Sequence, residues 1–166
     1  MKIQLGGLSE GVHQYQFNVA GADLDIGPGF RRAIVVSATV EKRGSQVFLT
    51  TSAEATGTFT CDRCLTDFDT VLRPRYTMVY VFEGAEREGF DPSEVQVISS
   101  ALSVVDITED VRQTFLLAVP LKLLCSESCK GLCPRCGTNW NLATCTCRGE
   151  QNDQRWEALK KLRTEN

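Results

Sequence analysis

A single histidine, His13, is all the imidazole this chain has. It sits in a stretch that alternates apolar and polar residues, far along the sequence from any cysteine. That scarcity argues against a Cys/His nucleophile pair, because imidazole is the usual base for a thiol nucleophile. Long hydrophobic runs are also missing. The longest, Phe115 to Val119, is five residues, whereas a membrane helix needs about 20. The opening stretch MKIQLGGLSEGVHQYQF has no continuous apolar segment of the kind a secretory signal requires. No phosphate-cradling loop is recognisable, since Gly27-Pro-Gly29 is too short and has no lysine behind it. These absences set the expectations: a cytoplasmic protein with no membrane partner, no small-molecule substrate and no catalytic residues.

Cysteine, by contrast, is abundant. Six of the eight thiols fall between Cys125 and Cys147. A chain of 166 residues with 42% hydrophobic residues can bury a core without disulfides. In a cytoplasmic chain such thiols stay reduced and mark metal or redox sites. Charge divides along the same line. Residues 1–119 carry 10 basic against 16 acidic residues, and residues 120–166 carry 8 against 5, so the basic excess lies with the cysteines.

The first two-thirds of the chain reads as extended. Tyr15, Phe17 and Val19 alternate with polar residues as in a half-buried strand. Residues 21–30 read as a loop, Ala33–Val40 as an inner strand, Glu41–Gly44 as a turn, and Gln46–Thr51 as the hairpin return. Phe68 to Phe82 contains another extended run, YTMVYVF, and residues 83–92 read as a polar surface loop. Asp106-Ile-Thr-Glu109 has the form of a capping box, with Asp106 as the cap and Glu109 reaching back. It opens a short amphipathic helix that Pro120 stops and that is expected to cover one face of the sheet. Trp156, Leu159 and Leu162 predict a second helix from about Asp153. The expected fold class is α+β. Residues 1–119 form a mainly antiparallel β domain with a covering helix, and residues 120–166 form a zinc-knuckle segment ending in a helix.

Cys133-Pro-Arg-Cys136-Gly137 has the form of a zinc knuckle. Two residues between cysteines let a tight turn aim both sulfurs at one ion, and the following glycine permits positive φ. Cys145 and Cys147 can complete a tetrahedral set. Cys61-Asp-Arg-Cys64 is a second knuckle form, and Cys125 and Cys129 can join it in a second four-cysteine site. One shared zinc with exchanging partners, or a Cys61/Cys64 pair without metal, are the alternatives. Sets made of cysteine alone are closed and structural rather than catalytic.

These residues together resemble the YceD family of bacterial and plastid proteins. The likeness rests on Cys61-x-Arg-Cys64-Leu65, on Val119-Pro120 with Leu124-Cys125, and on Cys129-Lys-Gly-Leu-Cys-Pro-x-Cys-Gly137 with Asn139 and Asn141. Cys145-x-Cys147 and Asp153-x-Arg155-Trp156 with Leu159-Lys-Lys-Leu162 complete it. Trp140 departs from the pattern, standing where an aliphatic residue is expected. The resemblance implies a non-enzymatic factor needed for large-subunit ribosomal RNA to accumulate, acting on precursor RNA and/or a large-subunit ribosomal protein. It also implies that the two cysteine groups are separable, because some members keep only the first knuckle.

Two functions are compatible with this reading. In the first, a ribosome-biogenesis factor contacts its partner through Arg63 and Arg135 in the knuckles, with Lys130, Arg148 and Arg155, while the acidic first two-thirds meets a basic protein. In the second, a redox-responsive zinc–thiolate protein ejects its metal on oxidation.

Overall fold

The structure is a computed structural model, and it describes residues 1–84, 91, 95–99 and 104–147. The helix expected from Asp153, both Arg148 and Arg155, and most of the loop expected over 83–92 lie outside the described residues. The chain divides into two units. The first comprises Met1–Asp62 and Thr66–Cys125, and the second comprises Arg63–Leu65 with the chain from Ser126 onward.

The first unit is a mostly antiparallel sheet with few helices, α+β in character. Its strands are β1 (Lys2–Gln4), β2 (Gly11–Ala20), β3 (Ala33–Arg43), β4 (Gln46–Thr60), β5 (Asp67–Leu72), β6 (Arg75–Phe82), β7 (Val95–Ile98) and β8 (Val104–Asp106). Strands run in the order β2-β3-β4-β6-β7, with β5 pairing the far half of β4 and β1 pairing β8 separately. All pairs are antiparallel except β6 with β7.

Alternation explains the sheet. Ile34, Val36, Ala38 and Val40 of β3 are buried, as are Val47, Leu49, Ala53 and Ala55 of β4, whereas Val35, Ser37, Ser52 and Glu54 between them are exposed. One face therefore builds the core and the other stays open. Helix α2 (Thr108–Ala118) adds the fully buried Val111 and Phe115 to that core, Phe115 meeting Phe30 edge-on at 6.0 Å between ring centroids.

Three local readings are corrected. Glu41–Arg43 is polar enough to suggest a turn, yet it continues β3. Arg43 pairs with Glu41 at 2.8 Å and lies 5.3 Å over the Phe48 ring, so its charge is used along the strand. The turn falls at Gly44 (φ 57°) and Ser45, between β3 and β4. Residues 21–30 are not all loop, since Gly21–Leu24 form the short helix α1 that buries Leu24. At the start of α2, Asp106 Oδ1 accepts from the Thr108 backbone N–H at 3.0 Å and from the Thr108 hydroxyl at 2.6 Å. Asp106 nevertheless stands one residue ahead of the N-cap, Ile107, which has no side-chain cap hydrogen bond. Glu109 turns forward to accept from Arg112 and Gln113, so the expected capping box does not form. Among the described residues no helix is long and apolar enough to cross a membrane.

Candidate metal centres

Among its described residues the second unit buries almost no hydrocarbon. Its buried described residues are Cys64, Cys129, Cys133 and Gly131. A unit of this size cannot be held by apolar burial alone, and a metal ion is the usual substitute.

The two knuckles have the same backbone. The Cys61 N–H donates to the Thr66 carbonyl at 3.0 Å, and the Cys133 N–H donates to the Thr138 carbonyl at 2.8 Å. In each, the residue after the second cysteine is left-handed: Leu65 at φ 55° and Gly137 at φ 72°. The second knuckle closes as a small hairpin, with Gly137 N–H donating to the Cys133 carbonyl and Leu132 bridged to Asn139.

Backbone latches position the neighbouring cysteines. Asp62 donates its N–H to the Leu123 carbonyl at 2.8 Å and accepts the Leu123 N–H on its carboxylate at 2.7 Å. That reciprocal pair fixes the approach to Cys125. Arg63 Nη1 donates to the carbonyls of Glu127 at 3.2 Å and Cys129 at 2.9 Å, which fixes the approach to Cys129. Gly131 (φ 77°) passes close beneath Arg63, where an added Cβ would stand 3.1 Å from the Arg63 carbonyl oxygen. Glycine is required there on both counts.

The result is two groups of four. The sulfurs of Cys61, Cys64, Cys125 and Cys129 lie within 4.8 Å of one another, and so do those of Cys133, Cys136, Cys145 and Cys147. A tetrahedral ion with bonds of about 2.3 Å sets its sulfurs about 3.8 Å apart, so both groups can hold a metal ion with small adjustments.

Donors are aimed at the sulfurs, as thiolate ligands require. Asn141 Nδ2 donates to Cys129 Sγ at 3.3 Å, Trp140 Nε1 to Cys145 Sγ at 3.4 Å, and the Thr138 hydroxyl lies 3.1 Å from Cys136 Sγ. The Thr138 hydroxyl and N–H hold the Cys136 thiol down to about 6, well below an ordinary cysteine. The Trp140 indole lowers Cys145 in the same sense. Cys147 is pushed up to about 12, chiefly because its proton is shared toward Cys136. Without a cation Cys147 keeps its proton, and a divalent ion would displace it.

Every cysteine named from the sequence therefore falls in one of the two groups. Arg135 and Lys130 are exposed, whereas Arg63 has one guanidinium nitrogen committed to backbone carbonyls. Sequence reasoning did not find Asp62 as a latch or Thr138 and Trp140 as sulfur partners. Their only signal was proximity to cysteines, which many inert residues share.

Fold and site together define a class, a mostly antiparallel β protein bearing cysteines grouped in fours as a closed structural metal site requires. The chain belongs to the YceD family: the family model described as large ribosomal RNA subunit accumulation protein YceD matches residues 49–163. Among relatives, 59 residues are 34% identical to the Arabidopsis thaliana chloroplastic large ribosomal RNA subunit accumulation protein YCED homolog 1, covering 36% of this chain and 18% of that one. The Zea mays counterpart is 40% identical over 45 residues, 26% of this chain and 15% of that protein. Uncharacterized protein YlbN of Bacillus subtilis (strain 168) is 27% identical over 103 residues, 61% of this chain and 58% of that one. The chain thus spans less than a fifth of the plant relatives and somewhat over half of the bacterial one. No solved structure matches.

Proposed function

We propose that this protein is a non-enzymatic, cytoplasmic ribosome-biogenesis factor that supports accumulation of large-subunit ribosomal RNA. In this reading it binds two zinc ions, one in each four-cysteine group, and contacts precursor ribosomal RNA, with a large-subunit ribosomal protein as the other candidate partner. The family match over residues 49–163 is the observation that carries the role. The case for zinc rests on a unit whose buried side chains are thiols.

The metal's part is architectural. It gives the cysteine-rich segment, 120–166 as the sequence divides the chain, a fixed shape. Arg135 then sits at a rigid knuckle tip and Lys130 at the exposed entry to the same hairpin, positions suited to phosphate contacts. Arg63 acts mainly by holding Cys129 in place. Nothing in the geometry favours the redox-responsive alternative.

Ultraviolet crosslinking in cells, followed by sequencing of the bound RNA, tests the partner. Large-subunit ribosomal RNA is expected in the crosslinked fraction, and Arg135→Ala is expected to reduce its recovery severalfold with zinc content unchanged. Recovery of ribosomal protein without RNA would transfer the role to the protein partner.

A further inference from the structure

The open face of the sheet carries a feature that the knuckles do not explain. A depression of about 550 Å³ lies over β3 and β4, ringed by Arg32, Arg73 and Arg75 and floored by small residues such as Ser37 and Ser52. Its position follows from the fold. Arg32 precedes β3, Arg75 opens β6 opposite Ser52, and the bend between β5 and β6 is fastened to β4 by the Ala53 N–H donating to the Pro74 carbonyl at 3.0 Å. Three guanidiniums thus converge on a unit whose first 119 residues carry a net excess of acid.

Their present partners are weak. Arg73 meets Glu54 at 2.8 Å with both side chains more than half exposed, and Arg32 reaches Asp69 only at 3.8 Å. Water screens such pairs, so an anion can compete for the guanidinium. Arg75 makes no side-chain hydrogen bond or ion pair among the described residues. Glu54 is the one acid among the described lining residues.

We infer that this depression is a second RNA-binding site, one that grips the phosphodiester backbone of single-stranded RNA on the β unit. Guanidinium forks match phosphate oxygens, and a floor of small residues lets the backbone approach closely. Among the described residues the lining contains no aromatic ring on which a base could stack, so recognition is of phosphate rather than sequence. A protein partner is less well matched, because Val35 is the largest apolar side chain among the described lining residues. The inference rests on the proposal that the chain binds RNA, but it places contacts on different residues.

The test is titration of the zinc-loaded protein with a fluorescent oligouridylate across a range of potassium chloride concentrations. The variants are Arg75→Ala alone, the triple change of Arg32, Arg73 and Arg75 to Ala, and the same three to Lys. Each phosphate contact on a single strand contributes about 0.7 to the slope of log K against log salt. The triple Ala variant is expected to flatten that slope by about 2 and to weaken binding at least about tenfold, while the Lys variant keeps most of both. Arg75→Ala, which breaks no side-chain hydrogen bond or ion pair among the described residues, is expected to flatten the slope by about 0.7. Wild-type binding with an unchanged slope in both Ala variants would overturn the groove and leave the knuckle proposal standing. Absence of wild-type RNA binding at any salt would overturn both.

Discussion

Leu65 is a costly choice for its position. It is the first-knuckle counterpart of Gly137, left-handed at φ 55° and 66% exposed. A side chain in this region costs about 1–2 kcal/mol, and no burial of its own offsets that. Leu65→Gly would remove the strain but add about 0.5–1 kcal/mol of unfolded-state entropy. The expected net gain is therefore no more than about 1.5 kcal/mol, read as zinc retention at a higher chelator concentration. Gly137→Leu should move retention the other way by no more than about 1.5 kcal/mol, since the same entropy term offsets part of its strain. If both changes leave retention unaltered, the shared knuckle backbone is not under strain. The sequence discloses half of this correspondence. Both Cys-x-Arg-Cys forms are visible, but only Gly137 advertises positive φ, because leucine gives no sign of a left-handed backbone.

At the scale of elements, legibility follows the periodicity. The β2, β3 and α2 segments are readable because one face of each is more covered than the other, whereas β6 reads as a strand from its β-branched and aromatic run, with Val79, Tyr80 and Val81 all buried. The β1–β8 and β6–β7 pairings join short segments through residues far apart in sequence, and no local pattern announces them. The capping box marked where the helix starts but not how, since the N-cap falls on Ile107 rather than Asp106 and Glu109 turns forward along the helix. Asp106 also carries a pH signature. The Thr108 hydroxyl, then the Thr108 N–H, with the Met1 ammonium behind them, hold its carboxyl down to about 2. A carboxylate depressed in the folded state stabilises the fold above its unfolded pKa of about 3.9, and that contribution is lost as pH falls toward 2. Thermal melts of the sheet, followed by far-ultraviolet circular dichroism, should therefore fall between about pH 4 and pH 2. Asp106→Ala should lower the melt at neutral pH and flatten this limb. The group is exposed, so the effect is modest, and an unchanged acid limb in the variant would remove Asp106 from the account.

At the scale of the molecule, the chain combines a sheet held by hydrocarbon with a segment whose buried side chains are sulfur. The cysteine groups were legible because ligand spacing is local within each knuckle. Which pairs share an ion was left open, because that depends on latches such as Asp62 to Leu123 that link residues some sixty positions apart. The central claim is that each group holds one zinc. Native mass spectrometry of the reduced protein, prepared with zinc present, tests it most directly. The account predicts two ions per chain. Cys133→Ser should leave one, and Cys61→Ser, Cys125→Ser and their double variant should each lose the same other one. Fewer than about half an ion per chain in the wild type would contradict structural zinc, and additive losses for Cys61→Ser and Cys125→Ser would contradict the grouping.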